Sequence, residues 1–97
     1  MAFSPEIRVG SLAIGREHPP FVIAEMSGNH NGDLDRALAI VDAVADSGAQ
    51  ALKIQTYTAD TITIDADGPQ FRVEEDHGLW GGRTLYQLYK EAHTPWE

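Results

Sequence analysis

Phe21-Val22-Ile23-Ala24-Glu25-Met26, running into Ser27-Gly28-Asn29-His30-Asn31-Gly32, and then Ala51-Leu52-Lys53-Ile54-Gln55-Thr56-Tyr57, decide how this chain folds. Each is a short apolar run that ends in polar residues. Between them, Leu34, Leu38, Val41 and Val44-Ala45 recur at helical spacing. Asp33 is a suitable N-cap, and Gly48 stands where a helix exits through a left-handed residue. Strand, helix, strand implies parallel pairing through a right-handed crossover. The segment is therefore of α/β class, and polar residues at the carboxyl ends of such strands are where α/β proteins hold ligands.

Working outward, Ile7 and Val9 alternate, Gly10-Ser11 turns the chain, and Leu12 and Ile14 resume, which predicts an N-terminal hairpin over residues 6–14. Gly15-Arg16-Glu17-His18-Pro19-Pro20 reads as a loop. Beyond the second strand, Ile62 and Ile64 suggest a short extended piece, and residues 65–69 a turn. Trp80-Gly81-Gly82 leads into a second helix, where Thr84 and Gln87 have capping-box spacing and Leu85, Leu88 and Tyr89 supply a packing face. Thr94-Pro95-Trp96-Glu97 has the form of a helix start, and its position suggests a piece of a longer chain. Two apolar parallel strands also expect more cover and more neighbours than these elements provide.

The 97 residues suffice for one small domain, with 42% hydrophobic and 23% charged residues. No apolar run approaches the ~18 residues of a membrane span, and the N-terminus lacks the pattern of a secretory signal. The chain has no cysteine, so disulfides and thiolate metal sites are excluded within it, which fits a cytoplasmic location. A net charge of −8 argues against a nucleic-acid partner, because phosphate binding needs a basic face. No Walker-type or dinucleotide-binding glycine loop is present.

Strand alternation places Phe21, Ile23 and Glu25 on one face, and Ala51, Lys53 and Gln55 on one face. If both sets face the inside of a barrel, Glu25, Lys53 and Gln55 converge near its rim. Lys53 between Leu52 and Ile54 needs an anion if it is buried. A plain Glu25–Lys53 ion pair that fixes strand register is the competing explanation. Asn29-His30-Asn31-Gly32 reads either as a polar ligand loop or as a turn tolerant of left-handed backbone angles. His30 has no second histidine at metal-ligand spacing. His18, His77 and His93 read as surface or loop residues, Tyr86, Tyr89 and Trp96 as packing residues, and Glu74-Glu75-Asp76 as a solvated turn.

The runs from Ile23 to Gly32 and from Leu52 to Tyr57 resemble the N-terminal part of the sialic acid synthase family. Leu52 to Asp60, Gly78 to Tyr86 and Tyr89 to Glu97 resemble its pseudaminic acid branch. The resemblance implies the hairpin and first βαβ portion of a (β/α)₈ TIM barrel, incomplete at this length, with residues 1–20 as hairpin and loop and 21–97 as the first β/α units. It implies a cytoplasmic enzyme that condenses phosphoenolpyruvate with an N-acylated amino-sugar aldehyde, giving a nine-carbon sialic-type acid and phosphate. For the pseudaminic branch the sugar is a 2,4-diacetamido-2,4,6-trideoxy-altrose. The alternative sugar is N-acetylmannosamine, used by an N-acetylneuraminate synthase; from another class, the alternative is a non-catalytic binding module that reuses a barrel segment. By resemblance, Lys53 holds phosphoenolpyruvate, Gln55 lies near the reacting ligands, and Glu25 handles protons or sugar hydroxyls; Asn29, in the polar loop, is a further candidate substrate contact. A divalent metal, Mn or Mg, is implied with ligands outside this chain, as are a homodimeric parent and inactivity of the 97 residues alone.

Overall fold

A computed structural model describes residues 3–76 and 78–97. It contains two separate two-stranded sheets. Strands β1 (Glu6–Val9) and β2 (Leu12–Gly15) form the antiparallel hairpin, with Ile7 opposite Ile14. Its turn places Gly10 at φ 58°, a left-handed angle that glycine adopts without a Cβ clash.

Strands β3 (Ile23–Glu25) and β4 (Ala51–Lys53) pair in parallel, joined by helix α1 (Leu34–Ser47). The register sets Ile23 against Ala51, Ala24 against Leu52 and Glu25 against Lys53. Gln50 begins the pairing: its side-chain oxygen accepts from the Val22 amide at 2.7 Å. The Met26 amide, donating to the Lys53 carbonyl at 3.0 Å, ends it. Ser27 then turns to φ 51°, so both strands are shorter than the apolar runs that contain them. Helix α1 begins as its sequence dictates. The Asp33 carboxylate accepts from the Arg36 amide at 3.1 Å, and Asp35 places negative charge in the first turn. It ends at Gly48, with φ 84°.

Residues 59–62 depart from the sequence reading. Ile62 does not lie in an extended piece but closes helix α2 (Ala59–Ile62), a single turn. The local cause is Thr61, whose hydroxyl accepts from the Thr58 amide at 3.2 Å and donates to the Thr58 carbonyl at 2.8 Å. This side chain-to-backbone bonding competes successfully with strand formation. Residues 72–73 then run beside 82–84, with Val73 donating to Arg83 at 2.9 Å and Gly82 to Val73 at 3.1 Å. Gly81 permits that approach, since a Cβ there would lie 2.4 Å from the Glu75 carbonyl oxygen. Helix α3 (Leu85–Ala92) follows behind the expected Thr84–Gln87 capping box. Residues 94–97 have no regular secondary structure, and Trp96 is 87% exposed rather than packed.

The buried residues are few. Met26, Ala59 and Ala92 form the apolar core among the described residues, with His30 and Thr84 as buried polar groups. The accessible surface, 7531 Å², exceeds the ~5,500 Å² typical of a folded chain of this mass. The radius of gyration, 17.5 Å, likewise exceeds the roughly 12.5 Å of a close-packed domain of this length. The apolar stripe of α1 is open to solvent at Leu34, Leu38 and Val41. No helix among the described residues is long and apolar enough to cross a membrane.

Candidate functional site

The carboxyl ends of β3 and β4 lie side by side, and two groupings of polar side chains form there. The first is Glu25 and Lys53. Parallel register sets them opposite one another, and Nζ of Lys53 donates to Oε1 of Glu25 at 3.1 Å. Their side chains are 48% and 56% exposed, so in this chain Lys53 is not the buried charge that Leu52 and Ile54 suggested.

The second grouping lines an open cleft of about 480 Å³ just beyond the strand ends. Asn29 and Asn31 come from the turn after β3, and Gln55 and Tyr57 from the segment after β4. Trp80, Tyr89 and Ala92 close the other side, and Arg36 reaches in from the first turn of α1. The predicted convergence of Glu25, Lys53 and Gln55 is therefore divided. Glu25 and Lys53 meet each other, whereas Gln55 joins Asn29 on the cleft wall.

The cleft wall is held by backbone bonds. The Asn29 amide donates to Met26 at 3.1 Å, and the Asn29 carbonyl accepts from Nε of Arg36 at 2.6 Å. The Gln55 carbonyl accepts from the Thr94 amide at 2.8 Å, which ties the end of α3 to the end of β4. Tyr57 and Tyr89 meet edge to face at 5.6 Å. Burial, aided by the negative charge that Tyr89 would carry, raises the Tyr57 phenol above its ordinary range. The Tyr86 phenol is also raised, chiefly by its hydrogen bond to Asp60 at 3.0 Å.

Residues 27–32 form turns, with Asn31 at φ 52° and Gly32 at φ 71°, as the asparagine–glycine composition allows. This turn also places Asn29 and Asn31 along the cleft. His18 lies in its loop and pairs with Glu6 at 2.6 Å. His93 follows α3, and its Nδ1 donates to the Tyr89 carbonyl at 3.0 Å. His77 lies outside the described residues. Among the described residues, no group of three or more histidine, cysteine, aspartate or glutamate side chains is arranged to hold a metal ion.

Sequence reasoning gave no role to Arg36, Tyr57 or Trp80, all of which line the cleft. Arg36 carried a signal, since the third residue after an N-cap lies beside the turn that precedes it. Trp80 carried none, because its approach depends on the pairing of residues 72–73 with 82–84.

Comparison with known proteins then places the chain. Residues 40–97 match the NeuB family. The chain belongs to the NeuB family. Pseudaminic acid synthase of Campylobacter jejuni is 48% identical over 77 residues, 79% of this chain and 22% of that protein. Pseudaminic acid synthase of Helicobacter pylori is 40% identical over 79 residues, 81% of this chain and 23% of that protein. N,N'-diacetyllegionaminic acid synthase of Legionella pneumophila is 55% identical over 42 residues, 43% of this chain and 12% of that protein. The chain thus spans about a fifth of the length of the two pseudaminic acid synthases that it matches. The NeuB match includes β4, Gln55, Tyr57 and α3; Glu25 and Asn29 precede it.

Proposed function

We propose that the protein carrying this chain is a sialic-acid-type synthase with a (β/α)₈ barrel, and that it makes pseudaminic acid. Its substrates are phosphoenolpyruvate and a 2,4-diacetamido-2,4,6-trideoxy-altrose in its open aldehyde form. The methylene carbon of phosphoenolpyruvate bonds to the aldehyde carbon, whose oxygen takes up a proton; water adds at the phosphate-bearing carbon, and its C–O bond breaks to leave a ketone and inorganic phosphate. The pseudaminic acid synthases of Campylobacter and Helicobacter, which align with four-fifths of this chain, support that choice of sugar.

The observation that carries the chemistry is the Glu25–Lys53 pair at the carboxyl ends of adjacent parallel strands. Such strand ends are the ligand position of α/β folds. Lys53 supplies a mobile ammonium for the phosphate or carboxylate of phosphoenolpyruvate, and Glu25 is then released to accept a proton or a sugar hydroxyl. Gln55 and Asn29, both on the cleft wall, offer amides to hydroxyl and acetamido groups. Half-exposure of the pair keeps it accessible to a ligand in this chain. A divalent cation belongs to the proposed reaction, and among the described residues no cluster of three or more histidine, aspartate or glutamate side chains could hold it.

The test is condensation by the protein at its natural length. Phosphoenolpyruvate is supplied with the diacetamido-trideoxy sugar or with N-acetylmannosamine, and phosphate release and the acid product are measured. Product from the first sugar alone is expected. Product from N-acetylmannosamine alone assigns the protein to N-acetylneuraminate synthesis, and none from either refutes the reading.

A further inference from the structure

His30 is 3% exposed, the most deeply buried polar residue among those described, and the proposed chemistry gives it no part. Its neighbours Asn29 and Asn31 line the cleft, but His30 does not. It instead borders a separate space with Leu34, Thr94 and Pro95. Both ring nitrogens are engaged. Nδ1 lies 2.9 Å from the Gly32 amide nitrogen, which donates to it, so Nδ1 carries no proton. The neutral ring must then carry its proton on Nε2, which lies 3.3 Å from the Thr94 hydroxyl and donates to it.

Thr94 continues the chain of bonds, because its own amide donates to the Gln55 carbonyl at 2.8 Å. Gly32, His30, Thr94 and Gln55 therefore link the turn after β3 to the segment after β4. Gln55 stands at one end of that link, and Asn29 directly precedes His30 in the turn at the other. The turn needs such support, since Ser27 and Asn31 hold left-handed angles at 51° and 52° that cost energy for residues with a side chain. Gly28 adds close contact, since a Cβ there would lie 3.2 Å from the Cβ and the carbonyl oxygen of Ala92.

We propose that His30 is a positioning residue of the synthase site: as the Nε2-protonated imidazole it sets Asn29 and Gln55 at a fixed separation across the cleft. The inference rests on the function proposed above. It requires that breaking either end of the link degrade substrate binding, even where the fold survives.

The experiment uses the protein at its natural length with three variants. His30→Ala removes both bonds. His30→Asn keeps a short side-chain oxygen for the Gly32 amide and loses the reach to Thr94. Thr94→Val leaves the turn intact and removes the hydroxyl. His30→Asn and Thr94→Val are expected to melt within a few degrees of the wild type, yet to lose tenfold or more in kcat/KM, mainly through KM. If both fold normally and keep kcat/KM within twofold of the wild type, His30 only stabilises the turn and the proposal falls. Imidazole ¹⁵N spectra read the geometry without substrate. A bare Nδ1 and a protonated Nε2 support the link, and the opposite tautomer overturns it. A wild-type protein that makes no product refutes the function proposed above, whereas an active wild type with undiminished variants refutes the role of His30 alone.

Discussion

Replacing Lys53 by methionine separates an anion-binding lysine from one that merely pairs with its neighbour. The Lys53–Glu25 contact is 3.1 Å long, and the two side chains are 56% and 48% exposed. An ion pair so open to water contributes about 0–1 kcal/mol to stability, because solvent screens it and both side chains lose rotamer freedom. Methionine has similar volume and no charge, so melting is expected to change little. Ligand binding is a different matter. A hydrogen bond from an ammonium to a phosphate or carboxylate is worth about 1.5–3 kcal/mol, which converts to a roughly 10- to 100-fold loss of affinity. Titration calorimetry on the protein at its natural length, with phosphoenolpyruvate and sugar added separately, is the assay. Phosphoenolpyruvate binding should weaken by that factor, and sugar binding should change much less. Unchanged phosphoenolpyruvate affinity removes Lys53 from the anion site. An equal loss for both ligands, with a steep fall in melting temperature, shows that the pair supports the strands instead.

Glu25→Gln keeps shape and removes charge; turnover should fall on the order of 10²–10⁴-fold with little change in melting, and a steep melting loss with normal turnover per folded molecule would make Glu25 structural. Gly81→Ala places a Cβ 2.4 Å from the Glu75 carbonyl oxygen, a backbone atom, and should destabilise by about 1–3 kcal/mol in denaturant titration; an unchanged midpoint would show that residues 74–82 relax freely. The Tyr86 phenol, raised by its bond to Asp60, favours the folded state below the ordinary tyrosine value of 10.0 and loses that contribution as pH rises through its higher folded value. Tyr86→Phe should therefore weaken the alkaline decline of stability, and an identical decline in both proteins would show that the bond does not form in solution.

The fold was legible where local signals agreed. Asp33, the spacing from Leu34 to Val44 and Gly48 each indicate the same helix, and the structure forms it between these caps. Thr84 and Gln87 defined the start of α3 in the same way. The turn at Ala59–Ile62 was not legible from alternation, because Thr61 bonding to Thr58 overrides two isoleucines with extended spacing. Within the candidate site, the neighbour relation of Glu25 and Lys53 followed from strand order, since two parallel strands of equal length align their polar ends. The structural role of His30 did not follow from sequence. A histidine between two asparagines has the composition of an exposed turn, and its burial depends on Thr94, 64 residues away.

Whether Lys53 is a buried charge is decided outside its own strand. Flanking residues Leu52 and Ile54 made the strand look enclosed, but enclosure comes from neighbouring elements and not from flanking residues. Among the described residues, β3 and β4 pair only with each other, so each keeps an open edge. Ile23 and Ile54 remain 55% and 51% exposed. The same openness leaves the Glu25–Lys53 pair screened and therefore weak as a structural element. Within this chain the screened pair contributes little to stability. In the proposed site a ligand phosphate would compete with Glu25 for the ammonium, exchanging one charge-assisted contact for another. Cover over the open edges would sharpen that competition by lowering the local dielectric, strengthening each charge interaction and penalising an unpaired one. The apolar faces around the strands and the polar groups at their ends are thus one physical problem: the first set the dielectric in which the second operate.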